Sequence, residues 1–279
     1  MKHKKDLSRI VAIVNDETKW LILPAKYQAI RGLLDAHLKG TMDIADMMPD
    51  ESTEPEQEIK YYDIIGNTAI INVEGTILPK AGMLEMMCGA FSLELFQKNL
   101  KELATNDLVK NIIIDFDTPG GVVTQVPETA DLIAEVAKTK NVIAYSNGMI
   151  ASAGYYLASQ CSRIFISKSA EVGSIGVRVA YVDSSKHYEQ EGYKVEVFDS
   201  GEFKSMGIAG KSLTDNQRKL IQDGVDKCFA EFKSYVLAKR TVGDESMQGQ
   251  MFDSDEALTA GLIDGVINDL ESLVAYLNS

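Results

Sequence analysis

The chain has 279 residues, of which 45% are hydrophobic and 25% are charged, so it is long enough for one large globular domain with an extension. Its formal net charge of −13 argues against general binding to nucleic acid or to an anionic membrane, because both surfaces carry negative phosphate groups. We therefore expect no nucleic-acid partner, and a basic peptide or protein suits this charge better.

Cysteine usage and the lengths of the apolar runs narrow the class of protein. Cys88, Cys161 and Cys228 are far apart and show no CxxC spacing, which indicates neither a disulfide framework nor a zinc cluster. The apolar runs have strand length, far below the roughly 20 residues of a membrane helix, and the basic N-terminus is followed by polar residues. The sequence predicts a soluble cytoplasmic protein with no membrane anchor, metal or cofactor.

The first 62 residues differ from the rest of the chain. Residues 1–40 hold the apolar run Trp20-Leu21-Ile22-Leu23-Pro24 and then a 3.6-residue period that predicts an amphipathic helix over about 24–37. Residues 41–62 are acidic and contain proline, as a linker does. We predict an N-terminal extension over 1–40, a linker over 41–62 and one domain over 63–279.

Short apolar strands alternate with helical stretches from Thr68 onward. The predicted strands cover residues 68–73, 109–116, 141–145, 163–166, 178–182 and 194–198, and the predicted helices cover 91–105, 124–138, 152–160 and 184–191. Thr214 to Gln217 form a capping-box pattern that opens a long helix ending near Arg240. This alternation predicts a layered α/β fold.

The run Asp117-Thr118-Pro119-Gly120-Gly121 follows the second predicted strand directly. Gly120 and Gly121 leave backbone N–H groups open to a reacting group, which suits an oxyanion hole. Taken alone, the run Pro119-Gly120-Gly121 favours a simple tight turn.

Ser152 lies among small residues at the start of a predicted helix, where its hydroxyl can face a substrate or merely cap the helix. A serine nucleophile needs a base, and the three histidines lie in a basic tail, in the N-terminal helix and on a polar surface helix. Lysine is then the candidate base, and Lys204 follows 52 residues later. Burial against apolar side chains disfavours a charged amine, so we expect a neutral Lys204 in the closed site.

Six motifs occur in order along residues 65–270: Val73-Glu74-Gly75-Thr76-Ile77, Asp117-Thr118-Pro119-Gly120-Gly121, Ala151-Ser152-Ala153-Gly154-Tyr155-Tyr156, Val172-Gly173-Ser174-Ile175-Gly176-Val177, Gly201-Glu202-Phe203-Lys204-Ser205 and Gly261-Leu262-Ile263-Asp264. Together they resemble the signal peptide peptidase A family of serine peptidases. The resemblance implies the fold of the Clp peptidase and crotonase superfamily, an α/β layered superhelix of repeated ββα units.

The same resemblance implies a role for each site residue. Ser152 is then the nucleophile, Lys204 the general base and Ser174 the hydroxyl that orients the lysine amine. The backbone N–H groups of Gly121 and Ala153 form the oxyanion hole. The pair Asp117-Thr118 departs from the Asn-Ser that is more common in the family, which leaves any side-chain role there open.

The resemblance also implies a substrate class. Family members bind extended peptides and form homo-oligomers, so we expect a peptide or unfolded-protein substrate and a homo-oligomeric enzyme. Trp20 to Pro24 with Tyr27 is similar to phage and prophage members, the head-maturation proteases, which act on scaffold and capsid proteins; a phage procapsid is then a second location. A soluble cellular peptidase, acyl-CoA chemistry on the same fold and a catalytically silent capsid-assembly module remain open alternatives.

Overall fold

The computed structural model describes residues 20–22, 62–82, 85–86 and 88–279, with only the backbone for residues 20–22. The helix predicted over 24–37 and the linker predicted over 41–62, except Tyr62, lie outside the described residues. None of the described helices is both long and apolar enough to cross a membrane.

The strands and helices have the following bounds. The strands are β1 Trp20–Ile22, β2 Tyr62–Ile65, β3 Thr68–Glu74, β4 Thr76–Leu78, β5 Ala90–Ser92, β6 Asn111–Asp117, β7 Gly120–Val122, β8 Asn141–Ser146, β9 Met149–Ala151, β10 Arg163–Ile166, β11 Glu171–Gly173, β12 Met251–Phe252 and β13 Gly265–Val266. The helices are α1 Leu93–Thr105, α2 Val126–Val136, α3 Ala153–Ala158, α4 Ser185–Gln190, α5 Asp215–Leu237, α6 Ser254–Thr259 and α7 Leu270–Asn278.

The central sheet has six strands in the order β13-β10-β8-β6-β3-β2, and its pairs are parallel except β2 with β3. Ile112, Ile113 and Ile114 on β6 are fully buried, because helices cover both faces of the sheet. One face packs against α1, α2 and α3, and the other packs against α7 through Leu273. The prediction of a layered α/β fold is therefore confirmed.

A short second strand follows each of four consecutive strands of this sheet. β4, β7, β9 and β11 leave the plane of the central sheet and associate with one another. β4 pairs with β7 and β9 with β11, and a bridge between Thr118 and Ile150 joins the two pairs. Helices α2 and α3 begin soon after β7 and β9. The predicted ββα repeat is present, and its second strands form the layer that carries the site.

Two of the predicted strands do not form. Residues 179–182 and 194–198 adopt no strand, although both stretches are rich in valine and aromatic residues. Val182 and Phe198 are 65% and 93% exposed, so this part of the described chain has no neighbouring strand to pair with them.

Candidate active site

Ser152 lies at a sharp turn between strand β9 and helix α3. Its backbone has φ 54° and ψ −114°, a conformation that L-residues adopt rarely and at a cost of about 1–3 kcal/mol. Its N–H donates to the Gly173 carbonyl at 2.9 Å, and its own carbonyl accepts from the Tyr156 N–H at 2.9 Å. A strand-turn-helix geometry of this kind presents the nucleophilic serine in α/β-hydrolases.

The Ser152 hydroxyl does not cap helix α3. Ser152 occupies the N-cap position, but its side chain accepts no hydrogen bond from the first turn of the helix. The helix itself is buried along its whole length. Because Ala153 is the first helical residue, its N–H has no partner within the helix. The capping role that sequence alone left open is excluded, and both groups are available for chemistry.

Strand β7 carries Gly121 beside this turn. Thr118 connects the two elements: its N–H donates to the Met149 carbonyl, and its carbonyl accepts from the Ala151 N–H, both at 3.0 Å. A Cβ on Gly121 would lie 1.8 Å from the Ile77 carbonyl oxygen, so only glycine allows β7 to approach β4 this closely. Gly120 has φ 98°, which also favours glycine. The two glycines therefore form a strand rather than a simple turn.

The Thr118 side chain holds strand β7 in position through hydrogen bonds. Its buried hydroxyl donates to the Gly75 carbonyl at 2.6 Å and accepts from the Gly120 N–H at 3.1 Å. Its methyl group faces helix α3, where a Cβ on Gly154 would lie 2.4 Å from Thr118 Cγ2. The side-chain role that the sequence left open at Thr118 is thus a positioning one. The signal for it was available, because threonine retains the hydroxyl of the more common serine.

Ser174 stands beside Ser152 on the neighbouring strand end. Strands β9 and β11 are parallel with Ala151 opposite Gly173, so each serine is the first residue beyond its strand. Ser174 is 7% exposed and also has a positive φ, of 53°. Its N–H donates to the Gln250 carbonyl at 2.7 Å. The structure brings together Ser152, Ala153, Ser174 and the strand of Gly121.

Lys204 is the one predicted site residue that this arrangement does not include. It is exposed, in a turn over residues 201–207, and among the described residues its amine forms no hydrogen bond or ion pair. The turn is attached to the start of α5, where Gln217 donates to the Glu202 carbonyl at 2.6 Å. Phe203, next to Lys204, is 45% exposed. The apolar enclosure that we expect around the amine is not formed by the residues that the structure describes.

The last of the six sequence motifs contacts helix α3, which follows Ser152. The buried Tyr155 hydroxyl donates to the Leu262 carbonyl at 2.7 Å. Asp264 accepts from the Ile164 N–H at 2.7 Å and pairs with Arg240, whose side chain is 6% exposed. This motif therefore holds α3 against the sheet.

Comparison with known proteins gives relatives from phages and from cells. Capsid assembly protease C of Escherichia phage lambda is 29% identical over 78% of this chain and 50% of that protein. Head-tail preconnector protein GP5 of Enterobacteria phage P21 is 26% identical over 77% of this chain and 43% of that protein. The chloroplastic serine protease SPPA of Arabidopsis thaliana is 28% identical over 71% of this chain and 30% of that protein. The chain thus spans half or less of the length of these relatives.

A solved structure of a membrane-bound stomatin-specific protease is similar with a TM-score of 0.45 and 17% identity, over 76% of this chain and 85% of that one. The sequence profile of Peptidase family S49 matches residues 134–277, slightly more than half of the chain, and this match includes Ser152, Ser174 and Lys204. The resemblance identified from the six motifs is confirmed: this chain belongs to Peptidase family S49.

Proposed function

We propose that this chain is a serine endopeptidase in which Ser152 attacks the peptide carbonyl and Lys204 is the general base. The observation that carries the proposal is the backbone turn at Ser152. This turn places the serine between the end of strand β9 and the first N–H of the buried helix α3, and the serine hydroxyl does not cap that helix. Strained backbone of this kind persists where surrounding structure fixes it, and it is concentrated at active sites.

The proposed reaction has two acyl-transfer steps. The Ser152 oxygen forms a bond to the carbonyl carbon while its proton passes to the Lys204 amine, and the N–H groups of Gly121 and Ala153 donate to the resulting oxyanion. Lys204 then returns the proton to the leaving amine as the C–N bond breaks, which leaves an acyl-enzyme. Water then loses a proton to Lys204 and attacks the acyl carbon. The ester bond to Ser152 breaks, and Lys204 returns the proton to the Ser152 oxygen. In this scheme the Ser174 hydroxyl accepts a hydrogen bond from the lysine amine and orients it.

Assembly with further copies is the second part of the proposal. Phe198, Phe203 and Ile208 lie along the segment around Lys204 and are 93%, 45% and 38% exposed. Exposed apolar groups of this size favour a protein interface. We infer that a homo-oligomer covers this segment and excludes water from Lys204, so that the amine is neutral when the site is closed.

The substrate that we propose is an extended segment of a phage capsid or scaffold protein. Two phage relatives carry names that refer to capsid assembly or to the head-tail preconnector, and the net charge of −13 suits a basic segment. A cellular protein substrate is the second candidate, and the plant serine protease relative favours it. Cleavage of scaffold protein, capsid protein and a signal-peptide precursor at equal concentration distinguishes the two.

The test of the activity compares the wild type, Ser152→Ala and Lys204→Ala on an unfolded protein, with Lys186→Ala as the matched control at an exposed lysine on α4. We expect no cleavage by the first two variants and unchanged cleavage by the control. Mixing Ser152→Ala with Lys204→Ala then measures whether serine and lysine come from different chains, because only a shared site recovers activity. Equal cleavage by the wild type and Ser152→Ala rejects the peptidase proposal and favours an assembly module.

A further inference from the structure

The N-terminal strand β1 covers the edge of the strand that carries Gly121. The sheet order β1-β7-β4-β5 places β7 between β4 and β1, and no other strand of the described residues pairs with that edge. Trp20, Leu21 and Ile22 run antiparallel to β7, opposite Val122, Gly121 and Gly120 in that order. Without β1, the backbone groups on this edge of β7 have no strand partner.

This edge lies next to the nucleophile. Thr118 begins the connection into β7 and is bridged to Ile150, two residues before Ser152. Leu21 is the register partner of Gly121, whose N–H is the candidate oxyanion donor. A peptide that pairs with β7 therefore passes beside Ser152, as a substrate must.

The edge accepts a backbone rather than a particular side chain. Gly120 and Gly121 present no side chain, so an added strand is held mainly by main-chain hydrogen bonds. Only one strand can use these groups at a time. A substrate peptide that binds in this way and residues 20–22 exclude each other.

We propose that residues 20–22 are a built-in competitor that occupies the substrate edge of the site and must leave before a peptide can bind. This inference rests on the proposed peptidase function. Residues 23–61 join β1 to the domain, so β1 competes as a tethered segment. Its occupancy does not depend on protein concentration when the pairing is within one chain.

A proline substitution in β1 tests the proposal in the full chain. Leu21→Pro removes a backbone N–H and disfavours pairing with β7. Alternate residues of a strand direct their N–H groups to opposite edges, so the double variant Trp20→Pro/Ile22→Pro removes the N–H groups that Leu21→Pro leaves in place. Thr53→Pro is the control, since residue 53 lies in sequence between Pro49 and Pro55 and outside the segment that forms β1. If β1 is seated in about nine of ten chains, its release lowers KM for an unfolded substrate about tenfold and leaves kcat unchanged. Unchanged KM in both β1 variants overturns the proposal.

A binding measurement separates this proposal from the proposed function. In a Ser152→Ala background, a labelled peptide with the sequence of residues 15–28 is titrated into chains with and without Leu21→Pro. We expect about tenfold tighter binding to the chain with Leu21→Pro. Equal binding rejects the competitor, whether or not the wild type cleaves protein. Conversely, equal cleavage by wild type and Ser152→Ala rejects the peptidase function and leaves this binding result intact.

Trp20 provides a direct signal because it is the single tryptophan of the chain. In the Ser152→Ala protein, addition of a tryptophan-free substrate peptide is expected to shift the Trp20 emission to that of the Leu21→Pro variant. An emission spectrum that stays constant while the peptide binds contradicts displacement of β1.

Discussion

The positive φ of Ser152 predicts opposite effects on stability and on catalysis. Glycine adopts this backbone conformation without the steric cost that a Cβ imposes. We expect Ser152→Gly to have a free energy of unfolding about 1 kcal/mol higher than that of Ser152→Ala, with both variants inactive. Urea denaturation measures the difference. A glycine variant no more stable than the alanine variant would show that Ser152 stores no backbone strain.

Two substitutions at Thr118 distinguish the contribution of its hydroxyl group from that of its size. In Thr118→Val, the Gly75 carbonyl and the Gly120 N–H lose a buried partner, which costs about 1–3 kcal/mol of stability. Because Gly120 is next to Gly121, we also expect a lower kcat. Thr118→Ser keeps the hydroxyl and should retain the wild-type kcat. Steady-state cleavage and urea denaturation test both, and a valine variant with unchanged kcat would remove Thr118 from the positioning role.

The sequence predicted each residue of the candidate site. It could not predict whether one chain brings all of them together. Ser152 and Ser174 each lie just beyond the end of a second-layer strand, Ala153 follows Ser152, and Gly121 lies within the second-layer strand β7. The motifs mark these positions. Lys204 lies in a turn of a segment with little regular structure, so no local pattern fixes where its amine points. The positive φ of Ser152 and Ser174 also has no local signal, since serine rarely adopts it.

At the scale of elements, β6 carries a carboxylate that the buried sheet disfavours. Burial, with the nearby carboxylates of Asp117 and Glu74, raises the pKa of Asp115 to about 6 from 3.8. The folded protein therefore holds a proton that the unfolded chain releases between about pH 4 and pH 6, and stability falls as pH rises through this window. Above it, the full cost of the charge is present.

Asp115→Asn removes this charge and tests whether the charge destabilises the folded protein. We expect the variant to be more stable than the wild type near pH 7.5, by up to about 2 kcal/mol after allowance for solvent screening. Near pH 4 the gain should vanish, because the wild-type carboxyl is then protonated in the folded state. Urea denaturation at both pH values measures the difference in the free energy of unfolding between variant and wild type. An equal difference at pH 7.5 and at pH 4 contradicts the raised pKa of Asp115.

The prediction of strands and helices succeeded where the described chain itself provides the neighbouring strands or the capping residues. Strands β3, β6, β8 and β10 of the central sheet and the capped helix α5 appear near their predicted bounds, since apolar runs and the Thr214 capping box act locally. The edge strand β2 was not predicted. The short strands of the second layer were missed, because three-residue strands such as Gly120–Val122 carry no periodicity. Residues 179–182 and 194–198 have strand-like composition, but none of the described strands pairs with them, and composition alone does not reveal this.

At the scale of the whole molecule, the ββα repeat explains why these residues meet. Each repeat sends one strand into the central sheet and a second into the layer above it, so chemistry-bearing residues far apart in sequence reach one edge. The proposed oligomer and the N-terminal competitor both act on this layer, the first by enclosing Lys204 and the second by covering β7.

The most direct test of the central claim is the intact mass of the protein after mixing with an activated peptide ester, followed by peptide mapping. The proposed mechanism predicts one acyl group on Ser152 that hydroxylamine removes, and none on Ser152→Ala. Acylation at another residue, or equal acylation of the Ser152→Ala protein, would contradict it.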